Sequence, residues 1–131
     1  MALRNRIRTI FCLLTLSAVP VIILNSCENK DVICTMEFRM LSVEILGDST
    51  DRIYSIDSRN GDTIDGYEIF DLNWCFADDG EWFNRLKEDE NRTVSITAIS
   101  KGGKSVKTSC VITRDACHIE KVSGPGKIIY P

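Results

Sequence analysis

The chain has 131 residues, with 16 Lys and Arg against 19 Asp and Glu, one His and a net charge of −3. A chain of this length holds one small hydrophobic core. Its acidic balance excludes nucleic acid as a partner, because phosphate binding needs a basic surface.

The first 26 residues read as an address. Arg4, Arg6 and Arg8 precede an apolar run over residues 9–24, and no acid occurs before Cys27. A basic start followed by an apolar run is the order of a secretory signal peptide. The run is about 15 residues long where a lone membrane-crossing helix needs roughly 20. Pro20 interrupts it, so a permanent transmembrane anchor is the weaker reading.

Leu24-Asn25-Ser26-Cys27 ends the run and resembles a bacterial lipobox, with Asn25 standing where a small or branched residue is usual. The resemblance implies cleavage before Cys27 and lipid joined through its sulfur. Several acyl chains, each buried methylene worth about 0.8 kcal/mol, would anchor the chain to the membrane. The competing reading makes Cys27 the first cysteine of a secreted domain; Cys12, inside the apolar run, carries no separate role. The expected organisation is a signal peptide over 1–26, a lipidated polar tether over 27–31 and a domain over 32–131. Glu28 and Asp31 resemble the acidic export tags of Bacteroidetes surface lipoproteins.

Loss of residues 1–26 removes three basic residues and no acid, for a mature net charge of about −6. The acids are interleaved with Lys and Arg, the pattern of a solvated surface. Besides Cys27, four cysteines remain, Cys34, Cys75, Cys110 and Cys117. An even number in an exported chain argues for disulfides, with three pairings open, each worth typically about 2–4 kcal/mol. Zinc is disfavoured, since there is no Cys-x-x-Cys pair and a single histidine.

Along the domain, residues 32–46 alternate as a strand, with Met36, Phe38 and Met40 set against Glu37 and Arg39. The phase slips by one at Met40-Leu41, the mark of a β-bulge or of a strand changing sheets. A turn over 47–51 leads to a strand over 52–57. Asn60-Gly61 then makes a hairpin turn, because these residues accept the positive φ that tight turns need. A calcium loop built on Asp57, Asn60 and Asp62 is disfavoured by Arg59, a cation where an oxygen ligand is needed. A short third strand follows over 62–64.

Residues 68–76 place Phe70, Leu72, Trp74 and Phe76 on one face, the expected aromatic centre of the core. Residues 81–90 carry Trp82, Phe83 and Leu86 at helical spacing with Asp79 as N-cap, predicting a short helical connection. Residues 92–100 and 105–114 form a hairpin about Lys101-Gly102-Gly103-Lys104, with Val106, Cys110 and Ile112 inward. Strands over 117–122 and 127–130 close the sheet. The whole predicts an all-β, antiparallel β-sandwich of about seven strands.

The ending Asp115-Ala116-Cys117-His118-Ile119-Glu120-Lys121-Val122-Ser123-Gly124-Pro125, with Cys34-Thr35 opening the first strand and the lipobox in front, resembles small Bacteroidetes lipoproteins with transthyretin-like or carboxypeptidase-regulatory-like β-sandwiches. The resemblance implies fold and compartment, the outer membrane of the cell envelope, rather than mechanism. It also implies a disulfide between Cys34 and Cys117, leaving Cys75 with Cys110 as the second. Periodicity resists the second pair, because Cys75 falls opposite the aromatic face and Cys110 falls inward. Either a bulge rotates Cys75 or both stay reduced.

His118, the one histidine, has no nucleophile at a marked spacing and reads as a satisfied strand residue. Nothing selects two acids of nineteen for glycoside chemistry. No catalytic residue, metal or cofactor is expected. Trp82 and Phe83 lie in the irregular connection and are the candidate ligand contacts, able to stack on a sugar or to anchor a protein. The competing reading makes Trp82 a lid over the end of the sandwich. Asp48-Ser49-Thr50 and Asp62-Thr63-Ile64 fit the triplet that Bacteroidetes use for O-glycosylation. Two function classes result. One is a lipid-anchored envelope module for protein interaction or a structural role; the other is a surface lipoprotein binding a glycan or small ligand through loop aromatics.

Overall fold

The computed structural model describes residues 33–131. The expected signal peptide, tether and Cys27 lipidation site fall outside the described residues. Nine strands follow in order: β1 (Met40–Leu46), β2 (Thr50–Asp57), β3 (Thr63–Asp65), β4 (Tyr67–Phe70), β5 (Asn73–Asp78), β6 (Arg92–Ser100), β7 (Ser105–Arg114), β8 (Ile119–Ser123) and β9 (Lys127–Ile129). One helical turn, α1 (Asp79–Trp82), and a 3-10 turn (Phe83–Arg85) connect β5 to β6. The strands form two sheets, ordered β4-β5-β1-β9 and β3-β2-β6-β7-β8, in a β-sandwich-like arrangement around one core. Two expectations are corrected: the described residues form nine strands rather than about seven, and β9 runs parallel to β1.

The β6–β7 hairpin forms as its alternation predicts. Val94, Ile96 and Ala98 face Cys110 and Ile112 in the core, and the turn closes with Ser100 N–H donating to Lys104 O at 2.8 Å. Its Gly103, at φ +82°, takes the left-handed conformation that glycine accepts without steric cost. A register shift does fall beside the expected slip, between Leu41 and Ser42 of the β1–β5 pair, but β1 begins at Met40 and carries no bulge of its own. The extra residue is Phe76 on the partner strand. Both Phe76 and Ala77 therefore turn into the core.

Two strands differ from expectation. Residues 33–39 make no strand; side-chain bonds and, among the described residues, a single backbone bond, Asp79 N–H to Arg39 O at 3.1 Å, hold them in place of a ladder. The expected strand over 68–76 is instead a hairpin, because Asp71 turns the chain at φ +51° and sets Phe70 opposite Asn73. Asp tolerates this conformation better than most residues. Phe70 and Leu72 thus lie exposed at the tip, and only Phe76 is fully buried.

The inward face of β2 carries Ile53, Ser55 and Asp57, all buried. Asp57 accepts from Arg92 Nη1 at 2.7 Å and caps its own turn by accepting from Arg59 N–H. Arg92 also reaches Glu90 and the Arg85 carbonyl, which pins the helical connection to the sheet. Breaking such a pair strands a buried charge, at a cost of about 3–5 kcal/mol. Urea denaturation of Arg92→Ala is expected to show that loss. Arg59→Ala, at the exposed rim of the same cluster, should change stability by less than about 0.5 kcal/mol.

Candidate functional site

The adjacent acids at the end of β5 divide two roles. Asp78, not Asp79 as expected, caps α1 by accepting from Glu81 N–H at 2.9 Å. Its other oxygen accepts from the Tyr67 hydroxyl. Asp79 is thereby free to gather three separate donors. Its Oδ1 accepts from Ile119 N–H at 2.8 Å, and its Oδ2 accepts from Arg39 N–H at 2.8 Å and from His118 Nδ1 at 2.9 Å. A carboxylate can only accept, so Nδ1 carries the proton. His118 Nε2 meets Thr35 Oγ1 at 3.2 Å, which leaves both ring nitrogens of this buried histidine satisfied. Burial alone would raise the Asp79 carboxyl; the Arg39 and Ile119 amides and the His118 ring outweigh it and hold the group below its ordinary range.

A covalent bond completes the same node. Cys34 and Cys117 form a disulfide with their Cα atoms 5.3 Å apart. The loop carrying Cys117 is folded over Asp115, whose Oδ1 accepts from the Cys117 and His118 amides, each at 2.7 Å. Arg39 adds an exposed ion pair to Glu120. Three residues of the N-terminal strip, Cys34, Thr35 and Arg39, and three of the β7–β8 loop, Asp115, Cys117 and His118, are thus bound into one cluster at the entry of the domain. Thr35, His118 and Asp79 stand in the order of a nucleophile-base-acid relay, yet none of the three lines the small space beside Trp82 or the cleft at the other end of the domain.

The other expected bridge does not form. Cys75 and Cys110 are free and buried. Cys75 lies between Tyr67 and Ser42 in the ladder, on the face of its sheet turned away from the core, because the bulge begins one residue later. Cys110 belongs to the core of the other sheet. It packs against Gly124, where an added Cβ would come within 2.4 Å of the Cys110 Cβ. Burial raises the Cys75 thiol and pushes that of Cys110 up to about 11, so neither is a ready nucleophile.

The candidate ligand contacts are also relocated. Trp82 is 0% exposed, a lid over the core whose Nε1 is the one buried side-chain N or O without a hydrogen-bond partner among the described residues. Phe83 packs against the core beneath the Arg114 guanidinium, 4.3 Å from its ring centre. Neither presents a face to a ligand. Trp82 borders only a space of about 10 Å3, together with Tyr67 and Phe76; the aromatic beside a larger concavity is Trp74, read from sequence only as core. It lines a cleft of about 250 Å3 with Asp48, Ser49, Thr50, Glu68, Asp71 and Lys101. Three connections that the sequence keeps far apart form this cleft, which is why no local spacing marks it. Ser49 and Thr63, the hydroxyls of the two glycosylation triplets, are both exposed.

No protein-family model, no curated protein and no solved structure matches the chain.

The Asp79 node makes a signed pH prediction. The folded carboxyl titrates below its unfolded value of about 3.9, so its stabilisation is complete above that value and is lost as pH falls through the lower folded one. Asp79→Ala should cost about 2–4 kcal/mol at neutral pH, since it leaves three donors unpaired. It should also flatten the acid limb of a stability-against-pH curve measured by urea denaturation.

Proposed function

We propose that the protein is a lipid-anchored module of the cell envelope, an outer-membrane lipoprotein with a transthyretin-like or carboxypeptidase-regulatory-like domain, serving protein interaction or a structural role rather than catalysis. The observation that carries this reading is the fastening of residues 33–39. A lipid on Cys27 would load the domain through these residues. They are bonded to it by the Cys34–Cys117 disulfide, the Thr35–His118 contact and the Arg39 bonds to Asp79 and Glu120. A disulfide in this position also fits an exported chain, since such bonds persist in oxidising compartments. The histidine relay serves the same attachment: each member is consumed by a bond between segments.

The cleft at Trp74 favours a second reading, a glycan or small-ligand site. An indole beside hydroxyls, carboxylates and an ammonium offers one apolar face, able to stack on a sugar ring, in a cleft that is otherwise polar.

Mass analysis of the chain extracted from membranes should find lipid on Cys27, and Cys27→Ser should move the protein to the soluble fraction; an unmodified Cys27 in a soluble chain would sink the anchored reading. Stoichiometric co-purification of an envelope protein supports the interaction role. Saturable quenching of tryptophan fluorescence by a glycan, abolished in Trp74→Ala, supports the second. Any ester or amide hydrolysis lost in both His118→Ala and Thr35→Val would overturn the non-catalytic assignment.

A further inference from the structure

Four of the nine large apolar side chains exposed among the described residues fall within eight consecutive positions. Ile33 is 92% exposed and Met36 105%, with Phe38 at 57% and Met40 at 43%. Scattered exposed apolar residues need no explanation, whereas a contiguous group marks an interaction surface. This group does not lie on a loose end. Cys34, Thr35 and Arg39, interleaved with it, are the residues that the disulfide, His118 and Asp79 hold. Cys34, Thr35 and Arg39 are bonded to the domain; Ile33 and Met36 are left facing outward, and Phe38, whose ring edge lies over Gly80, keeps more than half of its surface exposed.

We infer that Ile33, Met36 and Phe38 form a membrane seat, inserting into the bilayer surface to which the chain is anchored. The inference rests on the anchored reading for its geometry. Six residue steps separate Cys27 from Ile33, and at about 3.3–3.6 Å per residue the fully extended chain reaches only about 20 Å. With lipid on Cys27 the strip is therefore confined to the bilayer surface, where an apolar partner is always within reach. Charge selects the kind of surface. The cation of the strip, Arg39, is already paired with Glu120, Glu37 adds a negative charge, and the mature chain is acidic. A zwitterionic surface fits, and an anionic one is repelled.

The test uses the mature chain carrying Cys27→Ser, so that no lipid dominates the binding, in co-sedimentation with phosphatidylcholine vesicles. The chain should partition onto the vesicles, and more weakly when phosphatidylglycerol is mixed in. Ile33→Asp with Met36→Asp should weaken partition at least about tenfold, given the apolar area withdrawn from water, with an unchanged melting temperature because both side chains are exposed. Ile129→Asp, in β9, should leave partition unchanged. Absence of vesicle binding by the parent chain, or equal binding by the double variant, overturns the seat. So does a parent chain that elutes as a dimer and becomes monomeric in the double variant, since a second copy then covers the strip. The Cys27 mass reports separately on the anchor: vesicle binding without lipid on Cys27 leaves the seat standing and removes the anchor, and lipid without vesicle binding does the reverse.

Discussion

The Asp79 carboxylate is the constraint on which the entry of the domain depends. It sits where β5 ends and α1 begins, and it collects N–H groups from residues 39, 118 and 119, three groups that would otherwise be half-buried and unpaired. An asparagine could offer one acceptor oxygen in place of two and would bring donors of its own against these donors. The disulfide follows from the same arrangement. Cys34 and Cys117 are separated by 83 positions, and they meet because Asp79 docks the strip while Asp115 shapes the loop. The hydrogen-bonded frame positions the two sulfurs, and the bond then locks the frame.

Legibility in the sequence tracks how local the determining physics is. The β6–β7 hairpin was readable because strict alternation and two glycines lie within one short segment. The strip before β1 was misread because Met36, Phe38 and Met40 alternate as a strand should; their alternation separates a fastened face from a free one, with no ladder involved. The aromatic run around Phe70 to Phe76 was misread for a related reason. Period-two spacing cannot reveal that a single aspartate at positive φ folds the run back on itself. Asp79 could be seen as important, since an acid before a helical pattern is a cap signal. Its neighbour Asp78 took the capping role, and the partners of Asp79 lie about 40 positions away on either side. Trp82 takes the lid role that the sequence offered beside the ligand-contact one, and Trp74, which packs against the core as expected, also borders the cleft because loops distant in sequence meet there.

The two ends of the domain are built differently, and β1 runs from one to the other. At the Met40 end, polar side chains are consumed in bonds between segments, and apolar ones are left outside. At the Leu46 end, the β1–β2, β4–β5 and β6–β7 connections leave acids and Lys101 around a cleft, with no ion pair to Asp48, Glu68, Asp71 or Lys101 among the described residues. Polar groups that satisfy one another rigidify a structure, whereas those left to solvent remain ready for a partner. The first end is thus suited to attachment and the second to recognition. If the first end is held at a membrane, β1 alone carries the second about 20 Å away from it, at roughly 3.3 Å per residue.

The placement of the disulfide supports the same division. A staple meant to stabilise a small core would join the two sheets, and Cys75 and Cys110 lie on different sheets as if available for it. Cys75 points out of its sheet while Cys110 points into the core, so the two do not meet and stay reduced, and Cys110 is one of sixteen buried side chains that fill the core with no disulfide between the sheets. The bond that does form ties the core to nothing inside itself. It joins an irregular strip to a loop at the point where the chain enters. Its contribution falls on residues 33–39, an irregular strip of seven residues that would fray first if it were unbonded.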